Sequence, residues 1–115
     1  MMKNGVMVTG AASGIGYSCA RDFLTDGVSV VAADIGDIPV ALMEVGGCLA
    51  QTFDVSSPGA CKSAVSEACD KFRGLSALNH FAGIHHTKTR EEVDADDFAR
   101  AMAVNVTGSF LIAQA

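Results

Sequence analysis

Thr9-Gly10-Ala11-Ala12-Ser13-Gly14-Ile15-Gly16 sets three glycines close together directly after the apolar run Val6-Met7-Val8. Strand, glycine turn and helix in that order are the parts from which a dinucleotide-phosphate site is built. Gly10 permits a sharp turn, and Gly14 lets the backbone approach a pyrophosphate with no Cβ between them. Gly16 allows the helix to pack closely on the strand. The unpaired N–H groups at the helix start, next to Ser13 and Ile15, face the phosphates, where the helix dipole also favours negative charge. Asp34 follows 18 residues after Gly16. A carboxylate at the tip of a second strand can accept hydrogen bonds from both ribose hydroxyls of an adenosine, and it repels a 2′-phosphate. No Arg or Lys adjoins Asp34 or sits in the glycine turn, so the expected cofactor is NAD, with NADP disfavoured.

These side chains need a scaffold, and the spacing supplies one. The expected strands are about Gly5 to Thr9, Val28 to Asp34, Cys48 to Phe53 and Leu75 to Phe81. Val28-Ser29-Val30-Val31-Ala32-Ala33 is nearly all apolar, as in a parallel strand buried on both faces. Between the strands, helices are expected from about Ile15 to Asp26, from an Asp37 N-cap through Pro39 to Glu44 or Val45, and from Pro58 to about Phe72. Asp26-Gly27, Gly46-Gly47 and Gly74 mark their ends. A last helix begins near Ala95, behind Asp94, Asp96 and Asp97 at its positive end. It carries Phe98, Met102, Val106, Phe110 and Ala113 at spacings of three and four. Asn105 and Gly108 inside it cost helix stability, which points to a site or a kink.

The spacing Thr-Gly-x3-Gly-x-Gly resembles the signature of the short-chain dehydrogenase/reductase family. Asp34, Asp54-Val55 after the third strand, Ala82-Gly83 after the fourth and Asn105-Val106-Thr107-Gly108 follow in the family's order over the whole chain. The resemblance is to the family's N-terminal half. It implies an α/β fold, a Rossmann-like doubly wound parallel sheet in strand order 3-2-1-4, with residues 1–115 forming part of an NAD(P)-binding domain cut before the later strands. It further implies hydride transfer between NAD and an alcohol or carbonyl substrate. Asp54 would meet the adenine amino group, Ala82 and Gly83 would line the cofactor, and Asn105 would hold a water in a proton relay. The family's Ser and Tyr-x3-Lys would follow Ala115, so the 115-residue chain is expected to be inactive alone. Tyr17 with Arg21 is no substitute, because arginine lacks the titratable chemistry of lysine.

One departure concerns the usual Asn-Asn-Ala-Gly, which here reads His80-Phe81-Ala82-Gly83. His80 can form hydrogen bonds in place of an Asn, but Phe81 cannot replace an amide. The bonds between sheet and loop that the family draws from that position are left open.

The totals narrow the classes. With 115 residues and a net charge of −5, the chain is one domain with no clustered Lys or Arg, which argues against a nucleic-acid surface. No apolar run reaches the roughly 18 residues of a membrane span, and the first strand starts too early for a leader peptide. A cytoplasmic location is expected. Cys19, Cys48, Cys61 and Cys69 have no metal-ligand spacing and read as reduced thiols. The adjacent His85 and His86 read as loop residues rather than as ligands of one metal, and no metal site is expected. The absence of Gly-Lys-Ser/Thr excludes a P-loop. The alternatives are a non-catalytic dinucleotide-binding module, with the last helix as a partner or homo-oligomer surface, and, further off, an S-adenosylmethionine-dependent methyltransferase.

Overall fold

A computed structural model describes residues 3–85 and 87–115. Its elements are β1 (Gly5–Thr9), α1 (Gly14–Thr25), β2 (Ser29–Asp34), α2 (Val40–Val45), β3 (Cys48–Thr52), α3 (Pro58–Lys71), β4 (Leu75–His80), α4 (Ala95–Met102), a π-helical turn (Ala103–Thr107) and α5 (Gly108–Gln114). The four strands pair in parallel in the order β3-β2-β1-β4. The chain steps outward from β1 through β2 to β3, then returns to the far side of β1 as β4. That reversal opens a crevice beyond the carboxyl ends of β1 and β4, where ligands of such sheets sit.

Strand pleating sorts the apolar residues between two cores. Val6, Val8, Val30 and Ala32 face α1 and α2, where they pack with Ala20, Leu24, Ile38 and Leu42. Met7 and Val31 face the other way and pack with Cys61, Ala68, Phe72, Val104 and Ile112. Both central strands are covered on both faces, which is why their sequences are continuously apolar. At about 1.5–3 kcal/mol for each fully buried aliphatic side chain, these two strands anchor the turn that follows β1.

Local signals explain most boundaries. The Ser57 side chain accepts from the Ala60 amide and Pro58 occupies the first turn of α3. Asp94 and Asp97 cap α4 reciprocally. Two expectations are corrected. Asp37 does not cap α2; Pro39, extended at ψ 136°, stands at the N-cap with no side-chain cap bond. Ile38 is buried in the first core, so packing rather than capping sets where that helix starts. The last helix is not uniform either: a π turn interrupts it at Ala103–Thr107, around Asn105 and just before Gly108. The Ser109 hydroxyl donates to the Asn105 carbonyl at 2.9 Å, one of the local side-chain bonds that bend a helix.

The spaced stripe Phe98, Met102, Val106 and Phe110 points away from the sheet, each residue between 43% and 63% exposed. Val104, Gly108 and Ile112 supply the buried face instead. β4 is an outer strand, and Ser76, Ala77 and Leu78 on it are exposed. No helix among the described residues is long and apolar enough to cross a membrane.

Candidate functional site

A cleft of about 350 Å³ lies at the carboxyl ends of the strands. Thr9, Gly10, Ser13, Ile15, Gly16, Asp34, Asp54, Val55, Ala82 and Gly83, all expected at a cofactor, line it. Gly14 and Asn105 are not among the lining residues.

The glycine turn has the shape its sequence implies. Gly10 adopts φ +70°, and a Cβ there would fall 2.7 Å from the Phe81 carbonyl carbon. A Cβ on Gly16 would collide with the Gly10 carbonyl oxygen. Gly14, at φ +59°, has nothing within 4 Å of where a Cβ would stand. The first glycine therefore closes the turn on the loop after β4 and the third closes α1 on the turn, while the second faces open space. Ser13 is the N-cap of α1, yet its side chain makes no cap bond. The Ser13 hydroxyl thus leaves the amide donors at the start of α1 to another acceptor.

Asp34 closes one side of the turn. Its Oδ2 accepts from the Ala12 amide at 3.0 Å and its Oδ1 from the Gly36 amide at 2.9 Å. The carboxylate thus braces the glycine turn and keeps lone pairs for the cleft. Asp54 is held in the same fashion. Its Oδ1 accepts from the Ser56 amide (2.9 Å) and hydroxyl (2.7 Å), and its Oδ2 from Arg100 Nη2 (2.9 Å). Burial pushes the Asp54 carboxyl up, but the Ser56 donors and the Arg100 guanidinium outweigh it and hold it below the ordinary 3.8. Arg100, on α4, was not foreseen as a site residue. Its partner lies 46 positions earlier, beyond the reach of any local pattern. Cys61 on α3 donates its thiol to the Val55 carbonyl at 3.3 Å. Burial first, and the Asp54 charge second, push that thiol's pKa up.

Across the cleft, Thr9 answers the question raised by His80-Phe81. Its hydroxyl oxygen accepts from the Phe81 amide (3.1 Å) and the Ala82 amide (3.2 Å), and lies 2.6 Å from His80 Nδ1. Two amides donating to it leave the hydroxyl to donate to Nδ1, which places the proton of a neutral His80 on Nε2, a buried atom with no hydrogen-bond partner among the described residues. The loop after β4 is thus fixed by Thr9 and by main-chain groups, and an amide at position 81 is dispensable. Asn105 pins the same loop further along: the Ile84 amide donates to Oδ1 at 2.8 Å, and Nδ2 donates to the Ile84 carbonyl at 2.6 Å. Its side chain sits beside Gly83, where a Cβ would come within 3.1 Å of Oδ1. His85 is exposed in the following loop, and His86 lies outside the described residues.

The His80 arrangement has a pH consequence. Burial lowers its pKa below 6.5, and a proton on Nδ1 would remove the acceptor of the Thr9 hydroxyl. Below about pH 6.5 the unfolded chain takes up a proton that the folded one refuses, so stability present above that pH is lost as pH falls toward the folded pKa. His80→Asn is expected to lessen the fall in melting temperature between roughly pH 7.5 and 5.5. Parallel pH profiles for the two chains would disprove it.

The family model described as short chain dehydrogenase matches residues 4–115. The chain is 32% identical over 111 residues to the 2,5-dichloro-2,5-cyclohexadiene-1,4-diol dehydrogenase of Sphingobium indicum, covering 91% of this chain and 44% of the relative. It is 32% identical over 107 residues to the meso-2,3-butanediol dehydrogenase of Serratia marcescens, covering 90% of this chain and 43% of that enzyme. Among solved structures, the 3-ketoacyl-(acyl-carrier-protein) reductase from Brucella melitensis complexed with NADH superposes at a TM-score of 0.87 with 30% identity, over 96% of this chain and 48% of that one. The chain spans less than half the length of these relatives.

Proposed function

The chain belongs to the short-chain dehydrogenase family, and from that premise we propose that it forms the NAD-holding half of an oxidoreductase acting on an alcohol or carbonyl substrate. The observation that carries this reading is the glycine turn at the sheet's switch point. It has open space at Gly14, uncapped helix amides beside Ser13, and a braced carboxylate at Asp34. Those features fit a dinucleotide. Gly10, Ser13, Gly14, Ile15 and Gly16 would take the pyrophosphate, and Asp34 the adenosine ribose. Asp54 and Val55 would flank the base, and Thr9, Ala82 and Gly83 would line the nicotinamide side. When bound, the nicotinamide supplies the hydride-transfer chemistry.

The chain's own residues would orient the cofactor by holding the loop after β4 in place. Thr9 fixes the Phe81–Ala82 backbone, and Asn105 fixes Ile84. We assign Asn105 to the proton-relay end of the site. Its side-chain amide is spent on Ile84, so a water held there would rest on main-chain groups of the π turn. The outward stripe of Phe98, Met102, Val106 and Phe110 supports homo-oligomer packing through the last helix. A cytoplasmic location, with no nucleic-acid or membrane partner, accords with the acidic charge.

The test is equilibrium binding. NAD is expected to bind about tenfold more tightly than NADP, because the fixed Asp34 charge faces the 2′-phosphate. Asp34→Ser should narrow that ratio. Failure of the parent chain to bind either dinucleotide would overturn the reading, and an unchanged ratio in the variant would remove Asp34 from it.

A further inference from the structure

Among the described residues, Arg100 is the one cationic side chain lining the cleft, and no local pattern in the sequence marks it. It reaches from α4 to the loop between β3 and α3. Nη1 donates to the Ser56 hydroxyl at 3.0 Å and Nη2 to Asp54 Oδ2 at 2.9 Å. The Ser56 hydroxyl in turn donates to Asp54 Oδ1. Guanidinium, hydroxyl and carboxylate thus form a closed ring of hydrogen bonds. Arginine's planar fork can hold two acceptors at once in a fixed geometry, and a lysine ammonium cannot do so with the same rigidity.

The Ser56 donors act on one oxygen only. They fix Oδ1 and leave the carboxylate free to swing Oδ2 about that point. Arg100 stops the swing. With the Asp54 side chain still one-third exposed, the remaining lone pairs are presented to the cleft in one orientation. An outward acceptor at that place suits a nucleobase N–H donor and repels a nucleobase carbonyl.

We propose that Arg100 is a positioning residue for base recognition: by clamping Asp54 and Ser56 it makes the cleft select a base bearing an exocyclic amino group over one bearing a carbonyl there. This rests on the dinucleotide reading above. It adds a residue from the last helix to the base end of a cleft whose other wall Asn105 pins from that same helix.

The experiment compares the affinity of the chain for NAD and for nicotinamide hypoxanthine dinucleotide, in which a carbonyl replaces the adenine amino group. The parent chain is expected to prefer NAD by about tenfold, the weight of one hydrogen bond to a charged acceptor. Arg100→Met should compress that preference to about threefold or less while the protein stays folded, since Arg100 is 42% exposed and lies outside both cores. Arg100→Lys should restore part of it, because an ammonium can still reach one of the two acceptors. A merely structural role would weaken both dinucleotides equally and leave the ratio untouched, which would overturn the proposal. Equal binding of both by the parent chain would also overturn it, with the dinucleotide reading intact. Binding of neither would overturn both.

Discussion

Gly16→Ala is expected to lower the melting temperature by about 12 °C and to abolish NAD binding. Alanine would ordinarily gain about 1 kcal/mol over glycine inside a helix. Here its methyl would run into the Gly10 carbonyl oxygen, which is backbone and cannot swing aside as a side-chain tip can. Gly10 has no room to retreat. It already lies against the Phe81–Ala82 backbone, which is bonded in turn to the Thr9 hydroxyl and carbonyl. The collision must therefore be relieved by moving α1 off β1 or by opening the loop after β4. Overpacking of this kind costs about 3 kcal/mol, near 12 °C for a domain of this size. Either relief also displaces the amides at the start of α1 that we propose take the pyrophosphate. Gly59→Ala is the control: it too lies in a helix, but a Cβ there meets nothing within 4 Å. It should melt at or slightly above the parent temperature. A Gly16→Ala chain that melted with the parent and bound NAD would show that α1 does not need this close approach.

That turn was legible because it is local. Strand, turn and helix are contiguous, and each glycine's reason lies within a few residues or in the chain immediately packed on it. The same holds for Ser57-Pro58 and for the acidic start of α4, where capping chemistry reads directly from spacing. The sheet order was also within reach, because the resemblance of the whole motif series implies it and the apolar runs of β1 and β2 demand burial on both faces.

What stayed hidden is non-local or overridden by packing. The Thr9 hydroxyl meets His80 across 71 positions and accepts from the Phe81 and Ala82 amides across 72 and 73, and only the last two contacts show why Phe81 is tolerated where an amide was expected. The loop is tied by a hydroxyl and by backbone groups that any residue at position 81 would supply. Arg100 meets Asp54 in the same way, and an arginine in a helix looks in sequence like a solvated charge. Asp37 had the right type for a cap, yet burial of Ile38 fixed the turn first. The last helix was half legible. Asn105 and Gly108 flagged an irregularity, but nothing in a spacing of three and four told which face would be covered. The π turn resolves it by putting Val104, Gly108 and Ile112 inward and leaving Phe98 and Phe110 outside.

Gly108 is where that helix packs against Val55 of the cleft wall, and its replacement should have the second-largest effect. A Cβ at Gly108 would stand 2.7 Å from Val55 Cγ2 and 3.3 Å from Val55 Cβ. Val55 is only 6% exposed and β-branched, so its rotamer is stiff. It is followed by Ser56 and preceded by Asp54, the two residues that Arg100 bridges. Gly108→Ala is therefore expected to cost about 2 kcal/mol even after alanine's gain in helix propensity. It should also weaken NAD binding by pushing Asp54 out of place. Val55→Ala removes the obstructing methyls and leaves a small cavity, at a cost of its own of about 1–2 kcal/mol. Because the second change supplies the space the first one lacks, the double variant should be more stable than the sum of the two losses predicts, by about 1 kcal/mol or more. Urea unfolding of the four chains measures this directly. Simple additivity would mean that the helix accommodates Gly108→Ala by moving as a whole, and that the contact between Gly108 and Val55 does not set the position of the Asp54 wall.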